Sequence, residues 1–314
     1  MSPLRLQPQL RTLPMDALPL VSIVTPTHNQ AQFLAQTIES VLAHDYPYIE
    51  YIVLDDGSTD YTSTVLQQYA GRIRAAWHPN MGQARTLNKG WSMARGSLIG
   101  YLSSDDLLEK SAVSILVAAL AEQPEAVVAY CDFNLVDANG HWMRTAVTEN
   151  FDHLRLCVDL VCQPGPGALF RRSMFELAGG WSDQLRQVPD FEFWLRASRY
   201  GVFIRVPHVL ACYRVHADSA SVRSVSAELS NEIVKVMAGY WGTQSGANAS
   251  LSFANAHLIA AKSHAQSGRP WSSLQEWLAA IRNCPPLLVQ RKSWLMLASG
   301  FLRRFVYRLQ GVLR

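Results

Sequence analysis

Membrane-spanning length is what the apolar runs of this 314-residue chain lack, for none continues uninterrupted far enough to cross a bilayer as a helix. Residues 1–18 contain three prolines and charged side chains without an apolar heart, so they read as an N-terminal extension and not as a secretory leader. Cysteine is sparse. Cys131, Cys157, Cys162, Cys212 and Cys284 form no C-x-x-C pair, and an odd, scattered set points to reduced thiols in a cytosolic setting. Net charge is small too, at +3, and the basic residues are not gathered in the region of the acid-ended motifs, which argues against nucleic acid as a partner. Disorder is excluded by 49% hydrophobic and 17% charged residues. A chain of this length can bury one full α/β domain and leave a small appendage.

What the chain does have is an apolar run that stops at two acids. Val53-Leu54 leads straight into Asp55-Asp56-Gly57-Ser58-Thr59-Asp60. Branched apolar residues from Tyr51 to Leu54 suit a strand buried on both faces, Gly57 permits a sharp turn, and Ser58, Thr59 and Asp60 suit the cap of a following helix. In an open α/β sheet, ligands bind beyond the carboxyl ends of the strands, which is where Asp55 and Asp56 stand. A second strand, Leu98–Leu102, ends in the same way at Ser103-Ser104-Asp105-Asp106. Adjacent carboxylates repel unless a cation or a set of donors compensates them, and Mg2+ or Mn2+ commonly pairs one or two carboxylates with substrate phosphates. Both pairs also fit capped turns, with Asp105 or Asp106 starting the helix that runs through Ala112 to Leu120.

In order, Val21-Ser22-Ile23-Val24-Thr25-Pro26-Thr27-His28-Asn29, Asp55 to Asp60 and Ser103 to Asp106 resemble the family 2 glycosyltransferases. Asn80-Met81-Gly82-Gln83 and Leu87-Asn88-Lys89-Gly90 are similar to that family's segment ahead of its metal motif. The resemblance implies a GT-A fold, a Rossmann-like mixed sheet flanked by helices, and an inverting transfer of a sugar from a nucleotide-diphosphate sugar. It places Pro26, Thr27 and Asn29 in the first nucleotide loop and Asp56 at the base, with Asp55, Gly82 and Ser104 also at the donor. Asp105 matches the last acid of the family's D-x-D motif, the ligand of Mn2+ or Mg2+. Ser103 replaces the first acid, which implies weak or water-mediated metal binding.

Val188-Pro189-Asp190-Phe191-Glu192 resembles the segment that carries the family's catalytic base, with Asp190 as the base and Pro189 in place of the usual Glu. Such a transfer requires a group that takes the acceptor's proton. Asp190 also suits the N-cap of the helix through Phe191, Trp194 and Leu195, and Glu192 reads as support. Tyr213-Arg214-Val215-His216 resembles the end of the catalytic domain and implies that His216 completes the metal or diphosphate site, while Arg214 reads as a surface charge. The implied partners are a nucleotide-sugar donor and a carbohydrate or lipid-linked acceptor, on the cytoplasmic side where nucleotide sugars are made.

The organisation expected is an extension over 1–18, a GT-A domain over 19–220 and a C-terminal helical region over 221–314. Apolar spacing places strands at Leu20–Thr25, Ala126–Tyr130, Val202–Val206 and Val209–Tyr213, and a hairpin at Asp137-Ala138-Asn139-Gly140 makes the sheet mixed. Trp181 reads as core. Helices are expected over 226–240, 252–266 and 271–283. The last two faintly resemble one tetratricopeptide-type hairpin, but a single copy is not an array, and a helical appendage packed on the catalytic domain is the favoured reading. Between Arg291 and Arg314 there are six basic residues and no acid. On a helical wheel Trp294, Leu295, Ala298, Phe301, Leu302, Phe305 and Leu309 share one side and Lys292, Arg303 and Arg304 lie away from it, which suits peripheral contact with the inner face of the cytoplasmic membrane or packing on protein. Two other classes stay open. A sugar nucleotidyltransferase would carry glycine and lysine in the loop after the first strand, where Thr25–Asn29 has neither. A weak or inactive GT-A-like binding module would explain Ser103 and Pro189 but not Asp56, Asp105 and Asp190.

Overall fold

The computed structural model describes residues 18–219 and 222–309. Along the chain run β1 (Val21–Thr27), α1 (Ala31–Leu42), β2 (Ile49–Asp56), α2 (Thr62–Gln68), β3 (Arg74–His78), α3 (Gln83–Met93), β4 (Leu98–Tyr101), β5 (Leu107–Leu108), α4 (Ala112–Glu122), β6 (Ala126–Val136) and β7 (Trp142–Ala146). There follow α5 (His153–Cys157), β8 (Leu169–Arg171), α6 (Arg172–Ala178), α7 (Pro189–Ala197), β9 (Val202–Arg214), α8 (Ala227–Ser230), α9 (Glu232–Trp241), α10 (Ala247–Gln266), α11 (Pro270–Asn283), a 3-10 turn at Pro285–Leu288 and α12 (Arg291–Leu309). The chain divides into two compact units. One holds the described residues up to Phe151 with Gln163–Asp183 and Phe193–Arg214; the other holds Asp152–Cys162, Gln184–Glu192 and the described residues from Val215 onward.

The first unit contains a mixed sheet of nine strands in the order β3-β2-β1-β4-β8-β6-β9-β5, with β7 paired to β6. Strands β3, β2, β1 and β4 are parallel to one another, β8 runs against β4 and β6, and β9 is parallel to β6. Six strands therefore point the same way. Their carboxyl ends bring the turns after Thr27, Asp56, His78, Tyr101, Val136 and Arg214 to one edge of the sheet, as open α/β folds do at ligand sites. Pro26 is tolerated inside β1 because pairing with β4 has ended at Val24, so no ladder bond is lost where its N–H would be.

One face of the sheet packs Ile23, Val53, Leu98 and Ala129 against Leu34 and Ile38 of α1 and Val113, Leu116 and Leu120 of α4. Elsewhere in the unit an aromatic cluster gathers around Trp91, whose ring centroid is 5.3 Å from Phe170, 5.4 Å from Phe193 and 6.2 Å from Trp181. Trp181 is core, at 5% exposed. Gly90 lets α3 lie on β1, since a Cβ there would meet Val24 Cγ1 at 2.3 Å. In the second unit Ala254, Leu258 and Ala261 of α10 pack on Trp277 and Ala280 of α11 and on Leu287. Helix α12 approaches α10 closely at Gly300, where a Cβ would meet Ala265 Cβ and the Lys262 carbonyl at 2.7 Å.

Several expected elements differ. The stretches Val202–Val206 and Val209–Tyr213 are one strand, because the extra Pro207 and His208 are absorbed by a register shift opposite Cys131 and Asp132 and do not end the pairing. The helix expected over 226–240 is divided at Asn231 into α8 and α9, and α10 starts at Ala247, ahead of residue 252. Helix α4 begins at Ala112 with Ser111 at its N-cap, so neither Asp105 nor Asp106 caps it. Asp190 lies inside the first turn of α7, one residue past Pro189, and is not its N-cap. The extension over 1–17 lies outside the described residues, as do the side chains of Lys292, Arg303, Arg304 and Leu309.

Candidate active site

At the edge formed by β1, β2 and the turn after β3, three loops are tied together through polar side chains. Asp55, 2% exposed, accepts the Ser58 amide at 2.9 Å and so closes the turn after β2. Asp56, 4% exposed, accepts the Met81 amide on Oδ1 at 2.7 Å and the Gly82 amide on Oδ2 at 2.9 Å, with His78 Nδ1 3.5 Å away. The Asp56 carbonyl accepts His28 Nδ1–H at 2.8 Å, which leaves His28 Nε2 to accept from the Asn80 or Asn29 side-chain amide, each at 3.3 Å. Asn29 has φ 53, a left-handed conformation that Asn tolerates, and its amide donates to Ser58 Oγ while its Oδ1 accepts the Thr59 amide. Gly57, at φ 72, is required twice over, since a Cβ would stand 2.6 Å from the Asn80 nitrogen.

The expected capping of α2 takes a different form. Ser58 and Thr59 are engaged by Asn29, and the Asp60 carboxylate divides itself, one oxygen accepting the Ala31 amide at the start of α1 and the other the Thr62 amide and hydroxyl at the start of α2. One acid thus satisfies orphan amides of two helices and locks their entry together. Gly82, at φ 91, is the residue before α3, and its amide is one of the two that Asp56 holds. Thr27 and Pro26 are buried at the end of β1, and Thr27 Oγ1 has no hydrogen-bond partner among the described residues.

Beyond β4 the two acids diverge. Asp106 is turned inward, 3% exposed, and accepts the Arg214 backbone amide on Oδ1 at 2.9 Å. Burial and the charge of Asp105 push its carboxyl well above the usual range, against the pull of Arg214. Asp105 keeps partial exposure, as does Ser103. Their turn is held from behind by Thr37 of α1, whose hydroxyl contacts the carbonyls of Ser104 and Asp106 at 2.9 Å each. Arg214 is not a surface charge. It is 1% exposed, and its guanidinium donates to the Asp105 carbonyl at 2.9 Å, the Ala138 carbonyl at 3.0 Å and Gln36 Oε1 at 2.8 Å while lying over the Phe33 ring. The expectation failed because it judged one residue by its type. A cation that ends a buried parallel strand at the edge where other strands deliver acids is a signal that the sequence contained.

A divalent cation fits this turn in one manner only. With Asp106 occupied by Arg214 and Ser103 in place of an acid, the turn offers one partly exposed carboxylate, which suits an ion that brings phosphate oxygens with it. Among the described residues no group of three or more His, Cys, Asp or Glu side chains could hold an ion alone.

The remaining candidates lie in the second unit. His216 is buried and its Nδ1 accepts the Asp218 amide at 3.3 Å, so the neutral ring carries its proton on Nε2, a donor suited to a phosphate oxygen. Asp190 is partly exposed in the first turn of α7. Surrounding protein pushes its carboxyl above the usual aspartate range, and the amides of Phe191 and of Asp190 itself draw it partly back.

Residues 22–178, half of the chain, match the family model described as glycosyl transferase family 2. Over 225 residues, 70% of this chain, it is 27% identical to the chondroitin synthase of Pasteurella multocida, of which it covers 23%. The chain spans less than two thirds of the length of the first curated relatives it matches. Two solved structures share its fold at 16% identity. Staphylococcus aureus TarS 1–349 in complex with UDP-GlcNAc aligns with TM-score 0.63 over 93% of this chain and 92% of that one. The mannosyltransferase PcManGT of Pyrobaculum calidifontis, in complex with GDP-Man and Mn2+, aligns with TM-score 0.56 over 94% and 88%. The mixed sheet is thus of the GT-A type, the match begins at β1 and runs through both acid-ended turns to the end of α6, and the chain belongs to glycosyl transferase family 2.

Proposed function

We propose that this glycosyltransferase moves a sugar, with inversion, from a nucleotide-diphosphate sugar to an acceptor hydroxyl in the assembly of a bacterial surface polysaccharide or glycoconjugate. The observation that carries the reading is the turn at Ser103–Asp106, braced by Thr37 and Arg214 so that, of its two acids, Asp106 is turned inward and Asp105 stays partly exposed. In it the nucleoside lies against Pro26, Thr27, Asn29, Asp55 and Asp56, with the unpartnered Thr27 hydroxyl supplying a polar contact. Asp56 spends one lone pair of each oxygen on the Met81 and Gly82 amides and keeps the others for the base. Asp105 and Ser104 stand by the diphosphate, where Mn2+ or Mg2+ would neutralise charge on the leaving group. His216, with Nδ1 taken by the Asp218 amide, contributes to the diphosphate site as a hydrogen-bond donor and not as a metal ligand.

Asp190 is the base. As the acceptor oxygen forms its bond to the anomeric carbon, its proton passes to the Asp190 carboxylate, and the bond from that carbon to the diphosphate oxygen breaks with its electron pair leaving on the diphosphate. A carboxyl held above the ordinary range is a stronger base than a solvated aspartate. The polysaccharide assignment is supported by the likeness to a chondroitin synthase, and the nucleotide-sugar assignment by the ligands of the two solved structures.

A lipid-linked acceptor would place the work at the inner face of the cytoplasmic membrane. Among the described residues no helix is long and apolar enough to cross a membrane. Helix α12 nevertheless turns Ser293, Leu297 and Gly300 inward and leaves Trp294, Leu295, Phe301, Leu302 and Phe305 exposed, the last two by more than 60%. With six basic residues and no acid between Arg291 and Arg314, anionic lipid is the occupant whose charge matches.

A thermal-shift screen tests the donor reading, with UDP-GlcNAc and GDP-mannose among the sugar nucleotides and Mn2+ present or chelated. Manganese-dependent stabilisation by one nucleotide class is expected. Indifference to every nucleotide would contradict it. Stabilisation without any turnover would favour the binding-module reading that Ser103 and the inward Asp106 support.

A further inference from the structure

Glu232 opens α9, and its carboxylate is 5% exposed, although nothing in its sequence surroundings marks it. It is enclosed by three successive backbone amides. Arg186 donates to both oxygens at 3.0 Å, Gln187 to Oε2 at 2.6 Å and Val188 to Oε2 at 3.3 Å. Consecutive amides that converge in this way form a concave, partly positive nest that fits an anion. A buried carboxylate is costly without such donors, and bonds to an ionised acceptor are about twice as strong as neutral ones.

The nest ends where α7 begins. The Val188 carbonyl accepts the Glu192 amide at 3.2 Å, the first bond of that helix. Pro189, at the first helical position, has a fixed φ and no N–H to offer, so the amide series stops at Val188. Asp190 follows immediately. Downstream, Phe193 and Trp194 are buried at 0% and 2%.

We propose that Glu232 is the positioning residue for Asp190. By holding Arg186–Val188 it sets where the first turn of α7 presents the carboxylate to the acceptor. The inference rests on the reading of Asp190 as the base.

The test uses the full chain with Glu232→Gln, which keeps the shape and removes the charge, and with Glu232→Asp, which keeps the charge one methylene shorter. Amide hydrogen exchange at Arg186, Gln187 and Val188 is expected to quicken at least tenfold in Glu232→Gln and less in Glu232→Asp, with the melting transition retained. Manganese-dependent release of nucleoside diphosphate from UDP-GlcNAc and GDP-mannose is expected to fall by about 10²-fold in kcat, the scale of a misplaced catalytic group, with the donor KM unchanged. Because Glu232 acts through Asp190, Glu232→Gln should cost nothing further in an Asp190→Asn background. Unchanged exchange at the three amides, or losses that multiply in the double variant, would overturn the proposal. Ordinary turnover by Asp190→Asn alone would defeat the base reading and the role of Glu232 with it. A disabled Asp190→Asn beside a fully active Glu232→Gln would defeat the positioning claim only.

Discussion

At Asp190 burial favours the protonated carboxyl, and the resulting raised value has two consequences of opposite sign. The folded chain holds its proton to higher pH than the unfolded chain does. Stability therefore falls as pH rises from the unfolded aspartate value near 3.8 through the raised folded value, and stays lowered above it. Asp190→Asn removes that cost, so at neutral pH the variant should melt at the parent's temperature or above while turnover drops by roughly two to four orders of magnitude. A lower melting temperature together with weakened donor binding would instead mark Asp190 as a structural acid. Wild-type kcat should rise with pH along a limb that lies above the ordinary aspartate range. Asp105 carries a separate expectation. Asp105→Ala should abolish manganese-dependent nucleotide binding with the fold intact, and Ser103→Asp should tighten it by supplying the absent acid. The second result would show that residue 103 faces the ion. Both acid pairs were legible as strand ends, yet the different fates of Asp105 and Asp106 were not, because they are decided by the Arg214 amide from a strand more than a hundred residues away.

Elements hold that arrangement in place, and the turn after β4 shows how. It is clasped between Thr37 of α1 and Arg214 at the end of β9, and the planar guanidinium reaches Asp105, Ala138 and Gln36 at once. A lysine cannot copy that fork. Arg214→Lys should forfeit at least one or two bonds of a buried charged group, about 2–4 kcal/mol in urea unfolding, and weaken metal-dependent nucleotide binding as well. Loss of stability with unaltered nucleotide binding would show that the clasp does not shape the site. Strands β1, β2 and β4 could be read from sequence because buried parallel strands are nearly continuous apolar runs. Strand β3 could not. Arg74-Ala75-Ala76-Trp77-His78 is an edge strand whose residues are mostly exposed, so no apolar run announces it. The fusion of two expected strands into β9 was hidden for a related reason, since proline reads as a breaker and the shift that absorbs Pro207 belongs to the pairing with β6.

For the whole molecule, an apolar face left open on α12 and an acid-free basic segment bear on where the enzyme works. Each basic side chain near an anionic surface adds about 1 kcal/mol, so attachment should be reversible and sensitive to salt. Flotation of the full chain with vesicles containing phosphatidylglycerol at low salt should succeed, and should fail with Leu295→Glu/Phe301→Glu or with vesicles of phosphatidylcholine alone. Failure with anionic vesicles would remove the membrane and make a soluble acceptor the better assignment. The central claim is transfer from a nucleotide-diphosphate sugar, and it is tested most directly by release of nucleoside diphosphate from a panel of sugar nucleotides, with Mn2+ and with chelator. One donor should be turned over by the wild-type chain in Mn2+ and by neither Asp105→Ala nor Asp190→Asn; turnover of none, or equal turnover by all three proteins, would contradict the account.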